Sequence, residues 1–207
     1  MNAIKLFITD LWHRLKWHGN LLTFVELGLI IAILPIMRWA NPQWFVEDGL
    51  VENIQLLVLS TAIIVACLSK NEQSLFIFVA MIVGFMIIRE TNLFRGYFCA
   101  RYLEEGTICR WKEFRFGWIT DALRWLFVLT MAGYFIYHKL WKKVWQYICN
   151  APIFVWDLLI LGVMIVGGTA AEFQSIDNEI LEECCELIAY LALTNCIWRY
   201  TGWTEEK

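Results

Sequence analysis

The chain has 207 residues and a formal net charge of −3; 59% of it is hydrophobic, 18% is charged, and its mean hydropathy is +0.55. An ordinary soluble domain is about 45–50% apolar and about 25% charged, so this composition cannot coat a water-soluble globule, and 12 Gly with 3 Pro exclude collagen-like or Pro-rich disordered chains. The acidic balance, with no basic patch interleaved with aromatics, also excludes an electrostatically driven nucleic-acid binder. The remaining class is an all-α polytopic membrane protein, read as a single domain over 1–207.

The first element is a stretch over 1–19 in which Ile4, Phe7, Ile8, Leu11 and Leu15 recur at helical spacing, with Lys5, Arg14 and Lys16 elsewhere on the wheel. That pattern predicts an amphipathic helix lying on the membrane surface. No small-residue cleavage site follows the next apolar run, so that run reads as a retained anchor. A hydrocarbon core about 30 Å thick needs about 20 helical residues. Six apolar runs qualify, over 21–38, 50–68, 74–92, 121–138, 152–171 and 179–198. β-barrel strands would alternate with period two over about ten residues; runs such as LFIFVAMIVGFMII do not. The connection over 93–120 is the longest, and Trp111, Phe114, Phe116 and Trp118 among its charges suggest a second interfacial or re-entrant segment. The halves of the chain share no repeat. Tryptophan concentrates at membrane boundaries, and Trp17, Trp39, Trp44, Trp118, Trp125, Trp141, Trp145 and Trp198 fall near span ends; Trp156 alone sits about a turn inside one.

The basic residues favour N-in, C-in placement in a cell membrane of bacterial inner-membrane type. Nine basic residues (Lys5, Arg14, Lys16, Lys70, Lys139, Lys142, Lys143, Arg199 and Lys207) fall on one side and eight on the other. The dense clusters on the first side flank short connections, which makes it cytoplasmic by the positive-inside rule.

Three spans reach membrane length only if they include charges. Glu52 and Gln55 precede 56–68, Arg89 and Glu90 end the third span, and Glu179, Glu182, Glu183 and Glu186 precede 187–198. Because spans alternate in direction, all three polar ends land on the outer side. The four glutamates sit at i, i+3, i+4 and i+7, one helical face, which Tyr190 and Thr194 continue inward. Asp48, Glu52 and Gln55 form a similar stripe; Glu172 ends the fifth span, and Asp121 with Arg124 opens the fourth. Like charges at i, i+4 repel, so the stripe requires a counter-charge: Arg89 or Arg124, a divalent cation, or protons on the carboxyls. An acid facing lipid costs a few kcal/mol or more, so these groups are expected around an outer polar vestibule. Its first candidates are Glu52, Gln55, Arg89, Glu90, Glu182, Glu183 and Glu186, and its periphery Asp48, Asp121, Arg124, Glu172, Glu179 and Tyr190. Glu26 and Asp157 lie one turn inside the opposite boundary and read as solvated there; facing inward, they would extend a polar track toward Glu186.

Other chemistries find little support. His13, His18 and His138 lack zinc-ligand spacing, a carboxylate-only site would favour Mg²⁺, Mn²⁺ or Ca²⁺, and no nucleotide or haem signature occurs. E-E-x-x-E echoes di-iron bundles without their Glu-x-x-His partners. Cys99 and Cys109 share the outer loop and can form a disulfide if that side is oxidising.

The segment E-D-G-L-V-E-N-I-Q at 47–55, with R-E-T-N at 89–92 and the later E-E-x-x-E, resembles small bacterial multi-pass membrane proteins that open a span with Glu-Asp-Gly-x-x-Glu. The resemblance implies a membrane-helix fold and brings no activity. The chain lacks the histidines of ceramidase-like membrane hydrolases. Three classes stay open: a carrier binding a cation or protons, with Arg89 as counter-charge; an enzyme acting on a lipid or lipid-linked substrate; and a scaffold or accessory subunit. The lipid bilayer is the one partner implied directly, and oligomeric state is not legible.

Overall fold

The computed structural model describes residues 9–10, 12–45, 49–90, 117–173 and 178–203, with the side chains of Arg89, Glu90, 117–121 and Phe173 excepted. Besides the helical residues 9–10 and 12–14, seven α-helices occur among them: α1 (Leu21–Trp39), α2 (Leu50–Cys67), α3 (Gln73–Glu90), α4 (Gly117–Tyr137), α5 (Leu140–Asn150), α6 (Val155–Phe173) and α7 (Glu179–Thr201). A short 3₁₀ turn covers Pro42–Trp44. Six of the helices occupy the six apolar runs. Three helices are long and apolar enough to cross a membrane, Leu21–Trp39, Leu50–Cys67 and Val155–Glu172, whereas the apolar parts of α3 and α4 are shorter.

Local chemistry sets the boundaries. Asn20 caps α1 reciprocally: its side chain accepts from Thr23 N, and its own N–H donates to Thr23 Oγ1 at 3.1 Å. Glu52 lies in the first turn of α2, where a negative charge complements the helix dipole. Asn178 caps α7 by accepting from Leu181 N. Lys139, in the left-handed region at φ 52°, breaks the chain between α4 and α5.

The most buried helix is α7. Its Ile188, Ala189 and Ala192 pack with Ile33 of α1 and with Ile160 and Met164 of α6, while Tyr190 and Ile197 pack with Leu59, Ala62 and Ala66 of α2 and with α3. Ala62, Ala66 and Ala192 are wholly buried; small residues here allow helices to approach without a large polar or apolar side chain between them. Helices α2 and α7 run in the same direction. Gln55 meets Glu183 near their N-termini, and Asn71, just past α2, donates to the Thr201 and Trp203 carbonyls at the far end. Around this core large apolar side chains point outward, with Ile31 and Leu34 each 77% exposed and Val166 68%. So much exposed apolar surface suits a lipid surround.

Three sequence readings change. The 139–150 connection contains a helix: Leu140, Val144, Tyr147 and Ile148 recur at i, i+4, i+7 and i+8 opposite Lys142, with Lys143 at the edge of that face, a surface-helix pattern hidden when only its charges are counted. The N-terminal helix does not continue to 19. Residues 12–14 are helical, but Leu15–Lys16 form a two-residue strand parallel to Ile153–Phe154. Arg14 secures this arrangement by donating to the carbonyls of Ile148 and Ala151 at the end of α5, which draws the following residues onto the α5–α6 link. The long connection over 93–120 ends earlier, because Gly117 already starts α4. Its proposed interfacial segment, and the Cys99–Cys109 pair, lie outside the described residues.

Candidate functional site

Among the described residues, four of the five polar side chains buried most completely lie where α1 and α6 begin and α7 ends; the fifth is Gln55. Thr23 and Glu26 follow the Asn20 cap at successive i+3 steps, so one face of α1 carries all three. Asp157 stands in the first turn of α6. Asn195 and Arg199 are one turn apart on α7. Thr23, Glu26, Asp157 and Asn195 are each no more than 1% exposed.

Their geometry is specific. Asn20 Nδ2 donates to Asn195 Oδ1 at 2.6 Å. Asn195 Nδ2 lies 3.1 Å from Glu26 Oε1, 3.3 Å from Asp157 Oδ1 and 3.2 Å from Asn20 Oδ1. The Thr23 hydroxyl donates to Asp157 Oδ1 at 2.5 Å. Arg199 Nη1 bonds Asp157 Oδ2 at 2.6 Å, its Nη2 donates to the His18 carbonyl, and its guanidinium lies 3.8 Å from the Phe154 ring centroid. Asp157 therefore has a full set of partners. Glu26 does not: among the described residues its Oε2 is buried without a hydrogen-bond partner. An unmade hydrogen bond at a buried polar atom costs about 1–3 kcal/mol, more for a charged group. The cluster also sets two carboxyl groups, Glu26 and Asp157, against one guanidinium.

A second polar contact lies at the opposite end of the bundle. Gln55 is buried, and its Nε2 donates to Glu183 Oε2 at 2.8 Å and to the Glu183 carbonyl at 3.2 Å. Glu52, Glu182, Glu183 and Glu186 are all half-buried on α2 and α7, and Tyr190 is buried further along. Glu186 passes close to α6: a Cβ at Gly168 would come within 3.8 Å of its Cγ. The structure thus brings Gln55 to Glu183. It leaves Glu172 and Glu179 exposed and Arg124 half-buried on α4, which packs chiefly on α3 and α5. Asp48 and the side chains of Arg89, Glu90 and Asp121 lie outside the described residues.

The reading of Glu26 and Asp157 as solvated boundary residues is overturned by their burial against α7. A track from the cluster to Glu186 would cross the nine positions between Glu186 and Asn195, about 14 Å along α7, where buried Ile188, Ala189 and Ala192 stand beside buried Tyr190 and Thr194. Sequence reasoning passed over Asn20, Thr23, Asn195 and the pairing role of Arg199. The available signal was the N-x-x-T-x-x-E spacing of α1 facing an Asn–Arg pair at i, i+4.

Among the described residues no group of three or more His, Cys, Asp or Glu side chains is arranged to hold a metal ion. No protein-family model, no curated protein and no solved structure matches the chain.

Proposed function

We propose that this is a six-span integral membrane protein that binds one unit of positive charge, a proton or a monovalent cation, at Glu26, and acts as an ion-coupled carrier. The observation that carries the reading is the Oε2 of Glu26, buried without a hydrogen-bond partner among the described residues, beside the Asp157 carboxyl group and the Arg199 guanidinium. Ionisable groups inside a membrane bundle are costly and mark ion or substrate pathways. A dehydrated monovalent cation would both partner that oxygen and neutralise the excess carboxyl, and a proton would neutralise it.

Helices α3, α4 and α7 complete the six spans, each carrying polar residues at an end. Both termini lie in the cytoplasm of a bacterial cell with the protein in its inner membrane, an orientation supported by Lys139, Lys142 and Lys143 beside α5. The Glu26 cluster then faces the cytoplasmic half of the bundle. The outer mouth is the acidic set Glu52, Glu182, Glu183 and Glu186 with Gln55, whose field concentrates cations. Between them on α7 lie buried Ile188, Ala189 and Ala192 together with buried Tyr190 and Thr194, a stretch that alternating access would open to one side at a time.

The test is the unfolding midpoint of the purified protein in choline, sodium and potassium chloride at several pH values. A ligand at about 100 times its Kd stabilises by about 2.7 kcal/mol. The wild type should gain stability in one of the metal salts over choline, or with pH, and Glu26→Gln should lose that dependence. In proteoliposomes the same substitution should abolish exchange of the ion. A wild-type midpoint indifferent to cation and pH would instead assign the cluster to holding α1, α6 and α7 in register.

A further inference from the structure

Beside the cluster, and using different atoms, lies an apolar cavity of about 550 Å³ between α3, α5, α6 and α7. Leu75, Phe76 and Val79 of α3, Val144 of α5 and Leu161 and Leu193 of the core helices line it; Arg14 is its one charged lining residue. The volume falls within the 300–1,000 Å³ range of small-molecule sites. We infer that the cavity holds an acyl chain of an anionic phospholipid from the cytoplasmic leaflet.

Three observations point to that occupant. The lining is almost wholly hydrocarbon, which suits an alkyl chain and offers no set of polar groups to orient a polar metabolite. One wall is α5, an amphipathic helix whose outward side chains Trp141 and Trp145 are exposed, the composition of a helix lying at the headgroup boundary. The cavity is therefore at the depth where acyl chains begin. Its margin is cationic. The half-buried Arg14 guanidinium is fixed there by the uncharged Ala151 and Ile148 carbonyls, whereas Lys143, at the α3–α5 junction, is neutralised by Glu72. A guanidinium over an apolar chamber complements a lipid with a negatively charged head, because basic residues at the membrane surface attract anionic lipid. Cys196 and Tyr200 line the same cavity, next in sequence to Asn195 and Arg199, so an occupant would abut the residues that hold the ion cluster. The lipid proposal does not depend on the ion reading.

The experiment uses the full chain in phosphatidylcholine vesicles containing a trace of phosphatidylglycerol or phosphatidylcholine with a diazirine in mid-chain. Cross-links are mapped by peptide mass spectrometry. The phosphatidylglycerol probe should concentrate on α3, α5 and α7 peptides that line the cavity, with several-fold less from phosphatidylcholine. Leu193→Trp fills the chamber and should reduce those cross-links about tenfold, the factor set by ~1.4 kcal/mol. Val144→Trp, on the surface helix, provides the same test should Leu193→Trp fail to fold. Arg14→Gln should erase the preference between the two lipids while leaving the cross-linked positions unchanged. Cross-links spread evenly over outward-facing helix surfaces, equal yields from both lipids in the wild type, or yields unaffected by either tryptophan would overturn the proposal.

Discussion

Asp157→Asn probes the ion pair on which the α1–α6–α7 junction rests. The substitution preserves shape and an acceptor oxygen but removes the charge facing Arg199, whose side chain is only 11% exposed. At the 2.6 Å contact the charge centres are about 4 Å apart, worth about 4 kcal/mol at an effective dielectric of 20. Removing one partner of a buried pair costs about 3–5 kcal/mol. Arg199 keeps the His18 carbonyl and the Phe154 ring, which places the loss at the lower end, about 3 kcal/mol. Arg199→Gln should cost a similar amount, because it leaves a buried carboxylate. The double variant, with two neutral amides, should cost much less than the sum, giving a coupling of about 2 kcal/mol. Neutral hydrogen bonds between membrane helices average about 0.6 kcal/mol and reach about 1.7, so the cycle separates a charged lock from an ordinary polar contact. Unfolding by SDS titration in mixed micelles measures all four proteins. A coupling under ~0.5 kcal/mol would refute the argument.

Other expectations follow from particular contacts. Gln55→Met removes both bonds to Glu183 and should destabilise by about 1 kcal/mol in the same assay, the net worth of a hydrogen bond; the loss is limited because Gln55 Oε1 already has no partner among the described residues. Ala62→Leu places a large side chain where Ala62 is wholly buried in the α2–α7 core, and should cost about 1–3 kcal/mol by overpacking, visible as a lower thermal midpoint. Cys67 and Cys149 are exposed near the proposed cytoplasmic boundary, while Cys184, Cys185 and Cys196 are buried. In a chain with Cys99→Ser and Cys109→Ser, a membrane-impermeant maleimide should label Cys67 and Cys149 in inverted vesicles and leave them unlabelled in intact cells. The reverse pattern would invert the orientation.

The helices were legible because long continuous apolar runs without period-two alternation leave little alternative, whereas the Asn20 and Asn178 caps were not picked out. The surface helix α5 was not. Its apolar residues are spaced across one face, and a connection counted by its lysines conceals that spacing. The acidic stripe of α7 could be read because its period is local to one helix, and Gln55 did meet Glu183. The Glu26 cluster depends on distant partners: Asn20 and Asn195 are separated by 175 positions, and Thr23 and Asp157 by 134. Nothing within α1 alone says that Glu26 turns toward α7. Uncharged Asn and Thr also escape a search made by charge, although they supply most of the bonds that bury the acids.

The central claim is that Glu26 takes up a positive charge inside the bundle. Isotope-edited infrared difference spectroscopy of the reconstituted protein, with wild type compared against Glu26→Gln, observes that carboxyl group directly. On changing pH or exchanging choline for sodium or potassium, the wild type should show a carboxyl-region band that shifts or converts to carboxylate, and the variant should lack it. A Glu26 signal that stays fixed under every one of these exchanges would contradict the account.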